Sequence, residues 1–157
     1  MKINNAAKSA AEGFTMALGN TFYNEILIEH NKYPTHKHAL AAVYSKEGVN
    51  PSCGDDLVIN LNVENGIITD GSFEGSGCAI SQASADMMFD LLIGKSVDEA
   101  KELSGIFSRM IKESITDEEL ERLEESGSLQ DISHMPSRVK CAMLAWRTLN
   151  EILGENQ

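Results

Sequence analysis

The stretch Leu57–Phe73, LVINLNVENGIITDGSF, decides the fold. Leu57, Ile59, Leu61 and Val63 alternate with Val58, Asn60, Asn62 and Glu64, the period of two that marks a half-buried strand. Asn65-Gly66 follows, a pair that accepts positive φ and closes tight hairpins. Ile67 to Phe73 reads as the return strand, and a turn this short permits only antiparallel pairing.

Helical signals surround this hairpin. Ile80, Ala83, Met87 and Leu91 recur at helical spacing, which predicts a helix over Ala79–Ile93 with Met87, Met88, Leu91 and Leu92 in the core. Ser96-Val97-Asp98-Glu99 and Thr116-Asp117-Glu118-Glu119 have the form of capping boxes and open two further helices. Pro136 suits the first turn of a last helix that runs to about Leu153. Upstream, Phe22 and Ile26 with Glu25 and Glu29 predict a helix over Thr21–Asn31, limited by Pro34, and Leu40–Lys46 suits a short strand. The expected fold class is α+β: a small antiparallel sheet with helices packed against it.

The composition narrows the function. The 157 residues are enough for one domain, and 42 % hydrophobic residues suffice for a core. Thirteen Lys and Arg against 24 Asp and Glu give a net charge of −11, which disfavours binding to nucleic acid. The longest apolar runs, Ala39–Tyr44 and Cys141–Trp146, fall far short of a membrane span of roughly 20 residues. Residues 113–131 hold eight acids and one base, so this segment carries −7 of the −11. With Leu120 and Leu123 as its apolar edge, it reads as a solvated acidic helix, with docking of a partner as the alternative. The polar, Ala-rich stretch Met1–Asn20 reads as an N-terminal extension to a single domain spanning 21–157. It has no apolar core of a secretion signal, and a cytoplasmic location is expected.

Three cysteines cannot all pair within the chain, so free thiols are expected. Cys53 sits in the loop Asn50-Pro51-Ser52-Cys53-Gly54-Asp55, which can aim Cys53 and Asp55 at one point. Cys78 follows Gly75-Ser76-Gly77 and opens a helix, where the dipole favours a thiolate. Cys141 lies in the first turns of the last helix. Three thiolates and a carboxylate would suit zinc, an iron–sulfur cluster or copper(I). There is no CxxC pair, however, and buried cysteines also serve as small hydrophobes. Arg138 is three residues before Cys141 and shares its helix face, whereas Lys140 is turned away by about 100°. His30, His36, His38 and His134 read as surface residues.

Taken in order, the motifs carry a resemblance. Asn50–Asp55, then Phe73-Glu74-Gly75-Ser76-Gly77-Cys78-Ala79-Ile80-Ser81 with Ala83-Ser84, and then Arg138-Val139-Lys140-Cys141-Ala142 with Leu144-Ala145-Trp146 resemble the three site loops of the IscU/NifU N-terminal family of iron–sulfur cluster assembly proteins. Gly94-Lys95-Ser96-Val97-Asp98-Glu99-Ala100 matches the helix between. Within the family, the SufU branch is the nearest in pattern. Lys140 stands where IscU scaffolds carry a histidine, and the acidic stretch 113–131 fits an insertion typical of SufU-like chains. Met135-Pro136-Ser137-Arg138-Val139 replaces the chaperone-recognition sequence of IscU, which implies no service by that chaperone.

The resemblance implies a three-stranded antiparallel sheet with helices on one side. It implies one zinc ion on Cys53, Asp55, Cys78 and Cys141. It also implies a sulfur-transfer protein, rather than a stand-alone enzyme, that accepts persulfide sulfur on Cys53 from a cysteine desulfurase and passes it to downstream iron–sulfur assembly proteins. On docking, a histidine of the desulfurase would take the place of Cys53 on the zinc, and Arg138 matches the family's functionally important arginine. Two alternatives stay open: a scaffold for a nascent [2Fe–2S] cluster on the same residues, and a binding module with purely structural zinc.

Overall fold

A computed structural model describes residues 24–155 of the chain. The extension 1–20 and the first residues of the expected first helix lie outside the described residues. In chain order the elements are α1 (Glu25–Lys32), β1 (Tyr44–Asn50), a 3-10 turn (Pro51–Cys53), β2 (Asp55–Glu64), β3 (Ile67–Ser76), α2 (Ala79–Leu92), α3 (Val97–Lys112), α4 (Asp117–Arg122), a 3-10 segment (Glu124–His134) and α5 (Pro136–Glu155).

The sheet is three-stranded and antiparallel, in the order β1-β2-β3. Leu57, Ile59 and Leu61 are fully buried on one face of β2. Burial of such side chains contributes roughly 1.5–3 kcal/mol each. The other face carries a polar row in register. Ser45 Oγ donates to Asn60 Oδ1 (2.6 Å), and Asn60 Nδ2 donates to Ser72 Oγ (3.1 Å) and Glu74 Oε2 (2.9 Å). The hairpin turns through Asn65 (φ 53°) and Gly66 (φ 77°), the left-handed pair that a two-residue turn between twisted strands requires.

β1 lies four residues further along the chain than expected. Its pairing runs from Tyr44 opposite Leu61 to Asn50 opposite Asp55. Its two buried positions are Gly48 and Asn50, so the strand shows no apolar alternation and its end was not visible in hydrophobicity.

α2 is the central helix. Most of its residues are buried, and it packs on α5, α1 and β3. Met87, Met88, Leu91 and Leu92 lie in the core as expected. Trp146 of α5 stacks on Phe107 of α3 (4.3 Å between ring centroids, 10° apart) and donates its Nε1–H to Ser84 Oγ (3.2 Å). Both arms of the Thr116 capping box form, and at Ser96 the hydroxyl accepts the Glu99 amide (3.1 Å). Among the described residues no helix is long and apolar enough to cross a membrane.

Two expectations are corrected. The acidic stretch is not one helix with a narrow apolar edge. It breaks at Glu124 (φ 51°) into the six-residue α4 and the 3-10 segment. The break lets Leu123, Leu129 and Ile132 reach the core at 0–1 % exposure, while Asp117, Glu118, Glu121 and Glu124 stay exposed. His30 is not a surface residue. It is 8 % exposed and held between Asp86 and Glu125, which makes burying an imidazole tolerable.

Candidate metal centre

Three chain segments meet where β2 begins, α2 begins and α5 begins. The 3-10 turn after β1 ends on Cys53, and Asp55 opens β2. Cys78 is the N-cap of α2, and Cys141 lies in the second turn of α5. The Cys53 and Cys141 sulfurs and an Asp55 carboxylate oxygen all lie within 4.8 Å of one another. Cys78 stands beside this trio rather than within it. Its sulfur accepts the Ser81 amide (3.4 Å), at the positive end of α2.

Asp55 is 1 % exposed and fully engaged. Its Oδ1 accepts the Cys78 amide (2.8 Å) and Ser81 Oγ (3.1 Å), and its Oδ2 accepts Asn50 Nδ2 (3.2 Å). Burial pushes the carboxyl up, but the Cys78 amide and the donors from Cys141, Asn50 and Ser81 outweigh it. The carboxyl is held below its usual range. Asp55 therefore offers the cluster an ionised carboxylate held in a fixed orientation.

The thiols differ in access. Cys141 is 0 % exposed, and Asn50 Nδ2 points at its sulfur (3.7 Å). Burial, followed by contacts with Cys53, Cys78 and Asp55, pushes the Cys141 thiol far up. Cys53 is only partly buried and points toward the Ser137 carbonyl (3.8 Å). A cation binding at this cluster would displace the Cys141 proton to solvent, so metal loading and deprotonation of that thiol are coupled.

Arg138 lies at this cluster. The neighbouring Cys141 sulfur, followed by Cys78 and Cys53, raises its already high pKa. Lys140, one helix position before Cys141, is exposed. Asn50 and Ser81 were quoted in the motifs without a role, and their only sequence signal was a polar residue at an element end. Gly77 matters through its missing side chain. A Cβ there would lie 2.4 Å from Ser81 Oγ and 2.8 Å from Asp55 Oδ1.

The donor set of three thiols and one ionised carboxylate fits a four-coordinate thiophilic metal. The sequence expectation named Cys53, Asp55, Cys78 and Cys141 as ligands, with Arg138 beside them. The structure brings all five to one corner, with Cys78 the least drawn in.

The NifU-like N-terminal domain matches residues 22–154. The zinc-dependent sulfurtransferase SufU of Bacillus subtilis is 36 % identical over 138 residues, 88 % of this chain and 93 % of that protein. The iron–sulfur cluster assembly scaffold protein IscU of Thermotoga maritima is 39 % identical over 132 residues, 83 % of this chain and 92 % of that protein. The crystal structure of the SUF-system protein FiSufU from Fervidobacterium islandicum superposes with a TM-score of 0.79 at 34 % identity, covering 86 % of this chain and 98 % of that one.

Proposed function

The chain belongs to the NifU-like N-terminal domain family, and on that premise we propose that it serves iron–sulfur cluster assembly as a zinc-dependent sulfur-transfer protein. The observation that carries this reading is the convergence of Cys53, Asp55 and Cys141 within 4.8 Å, with Cys78 and Arg138 alongside. Cys53, Asp55, Cys78 and Cys141 would hold the metal. Zinc bound there supplies deprotonated thiolates at neutral pH without redox chemistry of its own.

Cys53 is the acceptor because it is partly exposed and lies within the trio, whereas Cys141 is sealed and Cys78, also partly exposed, stands beside the trio. Its sulfur attacks the outer sulfur of a donor cysteine persulfide. A new S–S bond forms on Cys53, the donor's S–S bond breaks, and the donor leaves as a thiolate. No net oxidation occurs. Arg138 offsets the negative charge that gathers as the anions meet. The donor is a cysteine desulfurase and the recipients are downstream iron–sulfur assembly proteins, in the cytoplasm. Residues 21–157 act as one domain, with 113–131 inserted and 1–20 as an extension.

A scaffold function on the same residues is the second reading, favoured by the 39 % identity to an IscU scaffold. Anaerobic incubation with a desulfurase and cysteine separates the readings. Mass spectrometry showing added sulfur on Cys53, faster desulfurase turnover and no cluster absorbance support transfer. A transferable cluster with equal iron and sulfide supports the scaffold. A chain that binds zinc but changes neither turnover nor sulfur content is a structural-zinc module.

A further inference from the structure

Asn50 closes β1 and pairs with Asp55 at the end of the β1–β2 ladder, just before the turn that carries Cys53. An asparagine in that place would ordinarily cap the turn by accepting one of its amides. No such bond forms. The residue is buried, at 4 % exposure, and its side chain serves the cluster instead. An ionised carboxylate only accepts hydrogen bonds, so the amide nitrogen is the atom that faces Asp55. Asn50 Nδ2 donates to Asp55 Oδ2 (3.2 Å) and to Cys141 Sγ (3.7 Å). Its Oδ1 accepts Ser52 Oγ (2.9 Å), which fixes the amide plane.

The cluster is thereby divided. Asp55 and Cys141, both buried, are spanned by one neutral donor group, which sets their spacing without adding charge. Cys53 stands outside this grip. Its sulfur points to the Ser137 carbonyl (3.8 Å), and Ser52 Oγ lies 4.0 Å away. Ser52 is exposed and shares the Cys53 turn, so its bond to Asn50 can break in water without opening the core. An N–H···S bond also draws electron density from a thiolate, which makes Cys141 a poorer nucleophile and keeps it a ligand.

We propose that Asn50 is a positioning residue of the metal centre: its amide holds Asp55 and Cys141 as the fixed half of the ligand set and leaves Cys53 as the thiol that can depart. This inference rests on the metal-binding reading of the site. Asn50 acts through the two ligands that it touches, and Ser52 keeps its amide in register.

The test is cobalt(II) binding, read by absorption, and zinc competition against a chelator, on the tag-free full-length chain, Asn50→Ala and Ser52→Ala. The parent should show sulfur-to-cobalt charge transfer in the near ultraviolet. Asn50→Ala should hold either metal about 10- to 100-fold more weakly, the range for residues that orient metal ligands. Its charge-transfer band should move to longer wavelength, because Cys141 loses the donor that draws charge from it. Ser52→Ala, at an exposed position, should move both readouts the same way by less. A merely structural Asn50 would lower the melting temperature of the metal-free chain and move neither readout. That result in a folded Asn50→Ala chain overturns the proposal. If Asn50→Ala does not fold, unchanged affinity and band in Ser52→Ala overturn it. A parent without a cobalt–thiolate band removes the metal-binding reading itself, whereas a loaded parent with unaltered variants removes Asn50 alone.

Discussion

Asp55 accepts the backbone amide of Cys78 at 2.8 Å, so the first residue of β2 holds the first turn of α2 in place before any metal arrives. One carboxylate thus has two tasks in the proposed site: it would hold the metal, and it clamps the loop of Cys78. Asp55→Ala removes both. The metal-free chain should lose about 1–3 kcal/mol, the usual cost of leaving buried donors unpaired. The three remaining thiolates should release zinc to a chelator more quickly, with slower sulfur turnover. Chemical denaturation, chelator competition and a desulfurase assay read the three effects. Unchanged zinc release and turnover would remove Asp55 from the site.

Cys53 is a partly exposed thiol that can be changed without opening the core. Cys53→Ser should melt close to the parent in metal-free form, within about 1 kcal/mol as for exposed positions. It should lose persulfide labelling altogether. Cys141→Ser places a hydroxyl at a 0 % exposed position and should cost more, about 1–3 kcal/mol. Mass spectrometry after desulfurase treatment checks the first, and thermal melting the second. A persulfide on Cys78 or Cys141 of the Cys53→Ser chain would reassign the acceptor.

Arg138 stands beside Cys141, with Cys78 and Cys53 near enough to act on its charge. Arg138→Ala should leave zinc stoichiometry at one per chain. Sulfur transfer should fall about 10- to 100-fold, the scale of one charge-assisted hydrogen bond. Full transfer in that variant would take Arg138 out of the site.

Gly77 has no room for a side chain against Asp55 and Ser81. Gly77→Ala should displace the Asp55 carboxylate, lower zinc affinity and cost about 1–3 kcal/mol, the typical penalty of forcing atoms into a packed site. Zinc competition against a chromogenic chelator measures it.

His30 gives the pH dependence its sign. Burial pulls the imidazole pKa down, but the bonds to Asp86 and Glu125 overcome it and lift the value from 6.5 to about 9. The unfolded value is the lower one. The stabilisation is therefore complete below about pH 6.5 and is lost as pH rises through about 9. Between pH 7 and 10 the chain should lose on the order of 2–3 kcal/mol on this account. His30→Gln should be less stable at pH 7 and flat over that range. Denaturation of both chains across the range, with the thiol site loaded, tests it. A parallel loss in the variant would assign the effect elsewhere.

The hairpin was legible because its causes are local: alternating Leu57, Ile59 and Leu61, and the Asn65-Gly66 turn, need no distant partner to be read. Helices with apolar stripes or caps were legible for the same reason. β1 was misplaced because its inward positions are Gly48 and Asn50, chosen by what packs against them. The acidic stretch was misread because eight acids hid Leu129 and Ile132, which only the core could claim. The site lay between these cases. The motifs around Cys53, Cys78 and Cys141 named the residues through resemblance, since spacings of 25 and 63 residues carry no geometry.

What the sequence determined by itself is therefore the β2–β3 pairing, the starts of the helices that follow it and the identity of the thiols, because each depends on neighbours within a few residues. What only the tertiary structure decided is which groups converge. Asp55 became a buried anion because α2 brought an amide to it. Cys53 stayed reachable while Cys141 was sealed beneath the same corner. His30, which read as a surface histidine, became the buried centre of three carboxylates. Convergence depends on the packing of segments far apart in the chain, and no local pattern encodes it.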